Sequence, residues 1–152
     1  MTTLFHHPRE LLNAVGQSLG RSDWFLVDQA RIDLFSNATN YGHWLAVEPA
    51  HNHADPVGPR RAPEYLTLSL VNLFLPQLVD VRGIAMGINI GCGKVRFPAP
   101  LTVDSRIRGS GELVEARAER DSIQAVIRVT VELEGSELPA CVAETISRYY
   151  PA

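Results

Sequence analysis

The sequence predicts an α+β domain in which an antiparallel sheet curls around one long buried helix. Two stretches carry that expectation. From Tyr65 to Leu75 the chain is apolar except for Thr67, Ser69 and Asn72, which are small and uncharged. A helix that is apolar on every side belongs in a core. From Ile123 to Leu133 a period of two appears instead. Ile123, Ala125, Ile127, Val129, Val131 and Leu133 alternate with Gln124, Arg128, Thr130 and Glu132, and only Val126 breaks the pattern. That is the signature of a half-buried strand. A lone buried helix among strands needs a sheet to wrap it.

The helix has readable ends. Pro63 suits the first helical position, where its missing N–H has no partner to lose. Glu64 follows in the first turn, where a carboxylate meets the positive end of the helix dipole. Pro76 disfavours helical geometry at Leu75, so the expected span is Pro63 to Leu75. About eleven apolar residues fall short of the roughly twenty needed to cross a bilayer.

The remaining elements follow in order. Pro8 to Leu19 reads as a first helix, with Leu11, Leu12, Val15 and Leu19 at helical spacing and Gly20 as its stop. Ser22 to Val27 is a short strand. Asp28 is a candidate N-cap for a second helix that carries Ile32, Leu34 and Phe35 inward. Glu48 to Arg61 holds three prolines and is read as a loop. Val81 to Ile90 and Gly91 to Phe97 are strands, and Pro98-Ala99-Pro100 turns the chain. Ser105 to Val114 is a strand interrupted near Gly109. Glu134-Gly135-Ser136 turns the chain after Leu133, and Ala140 to Tyr149 returns antiparallel.

Composition bounds the rest. The 152 residues suit one domain, 1–152, with 45% hydrophobic and 20% charged residues, as in an ordinary soluble protein. A formal net charge of -3 argues against non-specific binding to nucleic acid or to an anionic membrane. Met1 to Pro8 lacks the basic start and apolar run of a signal peptide, so a cytoplasmic location is expected. Cys92 and Cys141 have no metal spacing and read as reduced core thiols. His51, His53 and Asp55 resemble a metal cluster in composition alone, and no metal is expected there.

Ser22-Asp23-Trp24, Leu34-Phe35 with Ala38-Thr39, Trp44, Val47, Pro49, Leu66 to Leu70, Lys94 to Pro100, Ser105-Arg106 and Pro139 to Glu144 stand in a familiar order. In that order the chain resembles the MaoC-like dehydratases, and within them the short, single-domain NodN-type enoyl-thioester hydratases. The likeness covers nearly the whole chain, and Lys94 to Pro100 is its most specific piece. It implies a hotdog fold and edge-to-edge pairing of two subunits. It also implies (R)-specific hydration or dehydration of an acyl chain held as a coenzyme A or carrier-protein thioester, with no cofactor. A homodimer is expected on physical grounds too, because the long strand Ile123 to Leu133 has an apolar face and a bare strand edge needs pairing.

The catalytic motif of that family is missing. The segment matching Ala38 to Val47 carries an Asp and a His that hold water and move the proton. Here Asn40 stands at the motif's glycine, Tyr41 at its aspartate and Ala46 at its histidine. A phenol titrates near 10 and alanine not at all, so no base for hydration is left near pH 7. The family's Ala-His-Gly at the start of the central helix is Ala62-Pro63-Glu64. Glu64 keeps the backbone N–H that polarises the thioester carbonyl in the family, and adds a carboxylate.

Candidate catalytic residues are therefore Glu64, Tyr41 and His43. Each has a plainer alternative: a helix-capping acid, an aromatic plug and a loop histidine. Asn40, Asn72, Arg60 and Arg61 are candidate substrate contacts, the two arginines toward the phosphates of a pantetheine carrier or else simply solvated. Two functions remain open. One is an enzyme acting on an acyl or polyketide-type thioester by isomerisation, cyclisation, conjugate addition or hydrolysis. The other is a silent member that binds acyl chains or completes a mixed dimer with an active dehydratase.

Overall fold

In the computed structural model the described residues are 1–40 and 61–152. Eight strands and three α-helices are described. They are β1 (Thr3–Phe5), β2 (Ser18–Arg21), β3 (Phe25–Val27), α1 (Gln29–Thr39), α2 (Glu64–Ser69), α3 (Val71–Leu78), β4 (Val79–Val81), β5 (Ile84–Arg96), β6 (Ser105–Ala118), β7 (Ile123–Leu133) and β8 (Cys141–Pro151). The main sheet is antiparallel in the order β2-β6-β7-β8-β5, with β3 also paired to β6. β1 and β4 form a separate parallel pair. The sequence expectation of a sheet around a helix holds, with corrections that each have a local cause.

β7 keeps its alternation. Ile123, Ala125, Ile127, Val129 and Val131 are buried, while Arg128, Thr130 and Glu132 face the outer side. β7 lies inside the sheet, however, with β6 on one side and β8 on the other. Among the described residues the sheet ends at β5 on one side and at β2 and β3 on the other, so Ile123–Leu133 is not an edge.

α2 and α3 together form the central helix, Glu64 to Leu78, with a break at Leu70. The Ser69 hydroxyl donates back to the Tyr65 carbonyl at 2.7 Å, a local bond that bends helices, and the Leu70 N–H is shared between Leu66 and Leu68. Pro76 does not stop the helix, which runs two residues past it. Leu66, Thr67, Leu70, Val71, Phe74 and Leu78 are buried, but Tyr65 is 68% exposed and Leu73 is exposed as well. Burial is therefore one-sided.

Gly109 does not interrupt a strand, since β6 runs through it to Ala118. A Cβ there would lie 2.6 Å from the Phe74 Cβ, closer than packing allows, and one at Gly111 would lie 3.1 Å from Leu78. The two glycines lower the floor of β6 so that the helix side chains can seat on it.

The first helix is the largest misreading. A 3-10 helix covers Pro8–Asn13 only, capped by the His7 Nδ1 accepting the Arg9 N–H at 3.1 Å. Gly16 at φ +89° turns the chain, its N–H donates to the Leu113 carbonyl at 2.7 Å, and Leu19 is buried from a strand. Ser22 to Val27 shortens to β3, because Ser22 is spent on Gly109, donating its N–H to the carbonyl and accepting that residue's N–H.

In α1, Asp28 caps the Arg31 N–H as expected, and Ile32 points inward. Leu34 is 67% exposed, since residues two apart on a helix face different ways. Val81–Ile90 and Gly91–Phe97 are one strand, β5, bulged at three places, while Val81 belongs to β4. Cys141 is buried and its thiol is pushed up to about 11 by that burial, but Cys92 is exposed on β5 and is no core thiol. No described helix is long and apolar enough to cross a membrane.

Candidate functional site

The start of the central helix is held from below. The Ala62 N–H donates to the Leu101 carbonyl at 2.7 Å, and Arg61 bridges to Thr102. Ala62 and Pro63 are buried. One turn on, the Tyr65 ring lies 6.4 Å from the Phe97 ring, tilted by 47°. The helix start thus rests on the short segment that follows β5.

On this fixed base Glu64 is exposed, and its carboxylate has no hydrogen bond or ion pair among the described residues. Tyr65, Ser69, Asn72, Leu73 and Pro76 continue along the helix as one exposed stripe. Asn72 lies on it two turns from Glu64. Among the described residues neither the Glu64 carboxylate nor the Asn72 side-chain amide has a hydrogen-bond partner.

The other candidates divide. Arg61 is exposed at the helix start. Asn40 ends α1 in the left-handed conformation, φ 51°, with its N–H on the Ser36 carbonyl, so its backbone serves as a helix cap. Tyr41, His43 and Arg60 lie outside the described residues, as do His51, His53 and Asp55. Among the described residues no group of His, Cys, Asp and Glu is arranged to hold a metal.

An open groove lies elsewhere, on the outer face of the sheet. It encloses about 860 Å³ between β2, β6 and β7, and its walls include Arg21, Glu112 and Arg128. Those side chains are engaged with each other or with neighbours: Arg128 with Glu112 and Glu144, Arg21 with Glu132. A floor of satisfied ion pairs has little left to offer a ligand.

Two residues escaped the sequence reading as site candidates. Lys94 and Arg96 stand at the end of β5, two apart, exposed and without an ion pair among the described residues. The sequence marks them only as part of the Lys94 to Pro100 run. Their lack of a partner depends on what faces them across the strand, which for Arg96 is Val142.

A curved antiparallel sheet around a central helix, with the helix start exposed beside the strand that follows, is the hotdog arrangement of acyl-thioester enzymes. No family model matches the chain. It is 40% identical to 3-hydroxyacyl-thioester dehydratase Z of Mycobacterium tuberculosis over 146 residues, 95% of this chain and 97% of that protein. It is 37% identical to nodulation protein N of Rhizobium meliloti over 141 residues, 91% of this chain and 88% of the other. The MaoC-like dehydratase from Rhodospirillum rubrum superposes with a TM-score of 0.67 at 16% identity, over 91% of this chain and 94% of that one. The chain belongs to the MaoC-like, NodN-type family of acyl-thioester dehydratases and hydratases.

Proposed function

We propose that this chain acts on an acyl or polyketide-type thioester, carried by coenzyme A or a carrier protein, by a route other than hydration. Isomerisation, cyclisation, conjugate addition and hydrolysis all need a positioned base beside the thioester but not the family's Asp/His pair. The observation that carries the reading is Glu64: a carboxylate without a partner among the described residues, on an anchored helix start, where the family resemblance implies a glycine. In this reading Glu64 takes a proton from the acyl chain, or from the attacking water in hydrolysis, and Tyr41 donates a hydrogen bond to the thioester oxygen as it gains charge. His43 and Asn40 line the same space, Asn72 contacts the substrate from the helix, and Arg60 and Arg61 meet the carrier's phosphates.

The test is mass spectrometry after incubation with a panel of acyl thioesters. Glu64→Gln should lower turnover by about 10²–10⁴, the usual worth of a general base, while leaving binding in place. If Glu64→Gln and Tyr41→Phe both retain full activity on the true substrate, this site is wrong. Crotonyl-coenzyme A should be hydrated far more slowly than by relatives that keep the pair.

The working unit in this reading is a homodimer joined along β5. That strand carries its charges, Lys94 and Arg96, at one end and is apolar or glycine-rich before them. Antiparallel pairing of two copies about its middle keeps like charges apart, whereas parallel pairing stacks them. Sedimentation equilibrium at micromolar concentration should return twice the chain mass.

The same free edge favours a second reading, in which the chain completes a mixed dimer with an active dehydratase. Stable self-association with turnover of its own would exclude it. A monomer that pairs only when such a partner is added would establish it.

A further inference from the structure

The outer face of the sheet is not uniform. Over β2, β6 and β7 it is polar, with Arg21 and Arg108 on Glu132, and Arg128 on Glu112. Toward β8 and β5 it turns apolar. Residues opposite each other in an antiparallel pair share a face, and residues two apart on a strand do too. Val126 alternates with buried Ala125 and Ile127, so it faces outward, and it lies opposite Ile146. Two and four residues further along β8, Arg148 lies opposite Ile88 and Tyr150 opposite Met86. Ile90 sits at the bulge between Asn89 and Gly91.

Met86, Ile88 and Ile90 are 49%, 37% and 44% exposed, and Val126, Ile146 and Tyr150 are half-buried. Gly91, opposite Ile146, leaves it without a side chain on that flank. Val126 is also the one residue that breaks the alternation of β7 in the sequence. Single exposed apolar residues are ordinary, but a contiguous patch marks a contact surface. A flat strand face of this kind packs against another sheet, about 10 Å away.

Charge chooses the partner. Around the patch Arg128 and Arg148 balance Glu112 and Glu144, and Arg128 is ion-paired to both acids. Such a rim has no net field to attract a partner of opposite sign. It lets an identical rim approach, although the whole chain carries a net charge of -3. A twofold axis then lays patch on patch.

We propose that the outer face of β5 and β8 is a stacking surface for the same face of a second copy. Six residues are few beside the roughly 20–30 on each side of a standard interface, so one patch holds weakly. Pairing along β5 would set two patches side by side and double the surface. The resulting count, four chains in two stacked dimers, rests on the β5 homodimer proposed above, whereas the stacking face itself does not.

Sedimentation equilibrium of the full chain from about 1 μM to about 500 μM tests this, a range that covers weak association. The mean mass should rise from two chains to four, and high salt should leave the rise in place, as for an apolar contact. Val126→Glu and Ile146→Glu put carboxylates into the patch away from the β5 edge, and each should hold the protein at two chains. Ile88→Lys, at an exposed position, should do the same and keeps the test available if the others fold poorly. A mass that stays at two throughout overturns the stacking and leaves the β5 homodimer standing. A rise from one chain to two that Val126→Glu abolishes supports the stacking and overturns the homodimer. A single chain at every concentration overturns both. A rise to four that all three variants retain places the contact elsewhere and overturns the stacking. Flotation with phosphatidylcholine vesicles, lost in Val126→Glu, would give the face to a membrane and overturn it as well.

Discussion

β7 and β5 are neighbours-but-one in the same sheet, of similar length, and they are built for opposite purposes. β7 is paired on both sides, alternates strictly between core and outer face, and has its arginine held between two glutamates. Among the described residues β5 is paired only to β8; it shifts register three times and exposes Met86, Ile88 and Ile90. A sheet stabilises by what it covers, so the same kind of residue contributes very differently in the two strands. Ile127 is 1% exposed in the core, whereas Ile88 leaves 37% of its surface to solvent. The comparison separates a strand whose apolar side chains are covered from one that leaves them exposed.

The sharpest way to break this contrast is to truncate one isoleucine in each strand. Ile127→Ala should cost about 2–5 kcal/mol in urea unfolding, the usual range for a buried residue of this size. Ile88→Ala should change the unfolding of the single chain by no more than about 0.5 kcal/mol, as at exposed positions generally. Equal effects would mean that β5 is covered more fully than its exposure states.

A smaller effect is expected where β6 receives the helix. Gly109→Ala forces Phe74 off its seat and should cost about 1–3 kcal/mol, the range for overpacking. Phe74→Leu in the same chain should recover part of that loss, because it removes the ring that meets the new methyl group. Denaturation of the double variant measures the recovery.

The two thiols give the mildest comparison of the buried sheet with the free edge. Cys92 should react with a thiol reagent in the folded protein, while Cys141 should react only on unfolding. Burial holds the Cys141 thiol at about 11 against an ordinary 9.0. Between those values the unfolded thiol ionises and the folded one does not, so the unfolded state binds fewer protons and stability falls as pH rises. The slope from this group is at most about 1.4 kcal/mol per pH unit, and Cys141→Ala should flatten it.

Much of this was legible in the chain. β7 could be read because burial of one face imposes a period of two, and the helix start because Pro63 marks it. What failed shares one cause: the decisive partner is distant in sequence. Leu11, Val15 and Leu19 have helical spacing, yet the carbonyl of Leu113 draws Gly16 onto β6 instead. Gly109 looks like a break until Phe74 is placed over it. Leu34 was assigned inward although it stands two residues from Ile32, which is an error of local geometry. Near the candidate site, the place of Glu64 in the first turn of the helix was legible from the proline before it. Lys94 and Arg96 were not, because no sequence states which cations go without a partner.

The parallel pairing of β1 with β4 has a consequence for the order of folding. Thr3 meets Val79, residues 76 positions apart, whereas β6 and β7 are joined by the four residues 119–122. Closing a long loop costs more chain entropy than closing a tight hairpin, and pairings of high sequence separation form slowly. β1 therefore waits for a partner that appears half a chain later. Until then Phe5, buried in the finished molecule, has nothing to cover it. Pulse-labelled hydrogen exchange should find the amides of β6 and β7 protected early, and the Arg82 N–H, which donates to Phe5, among the last.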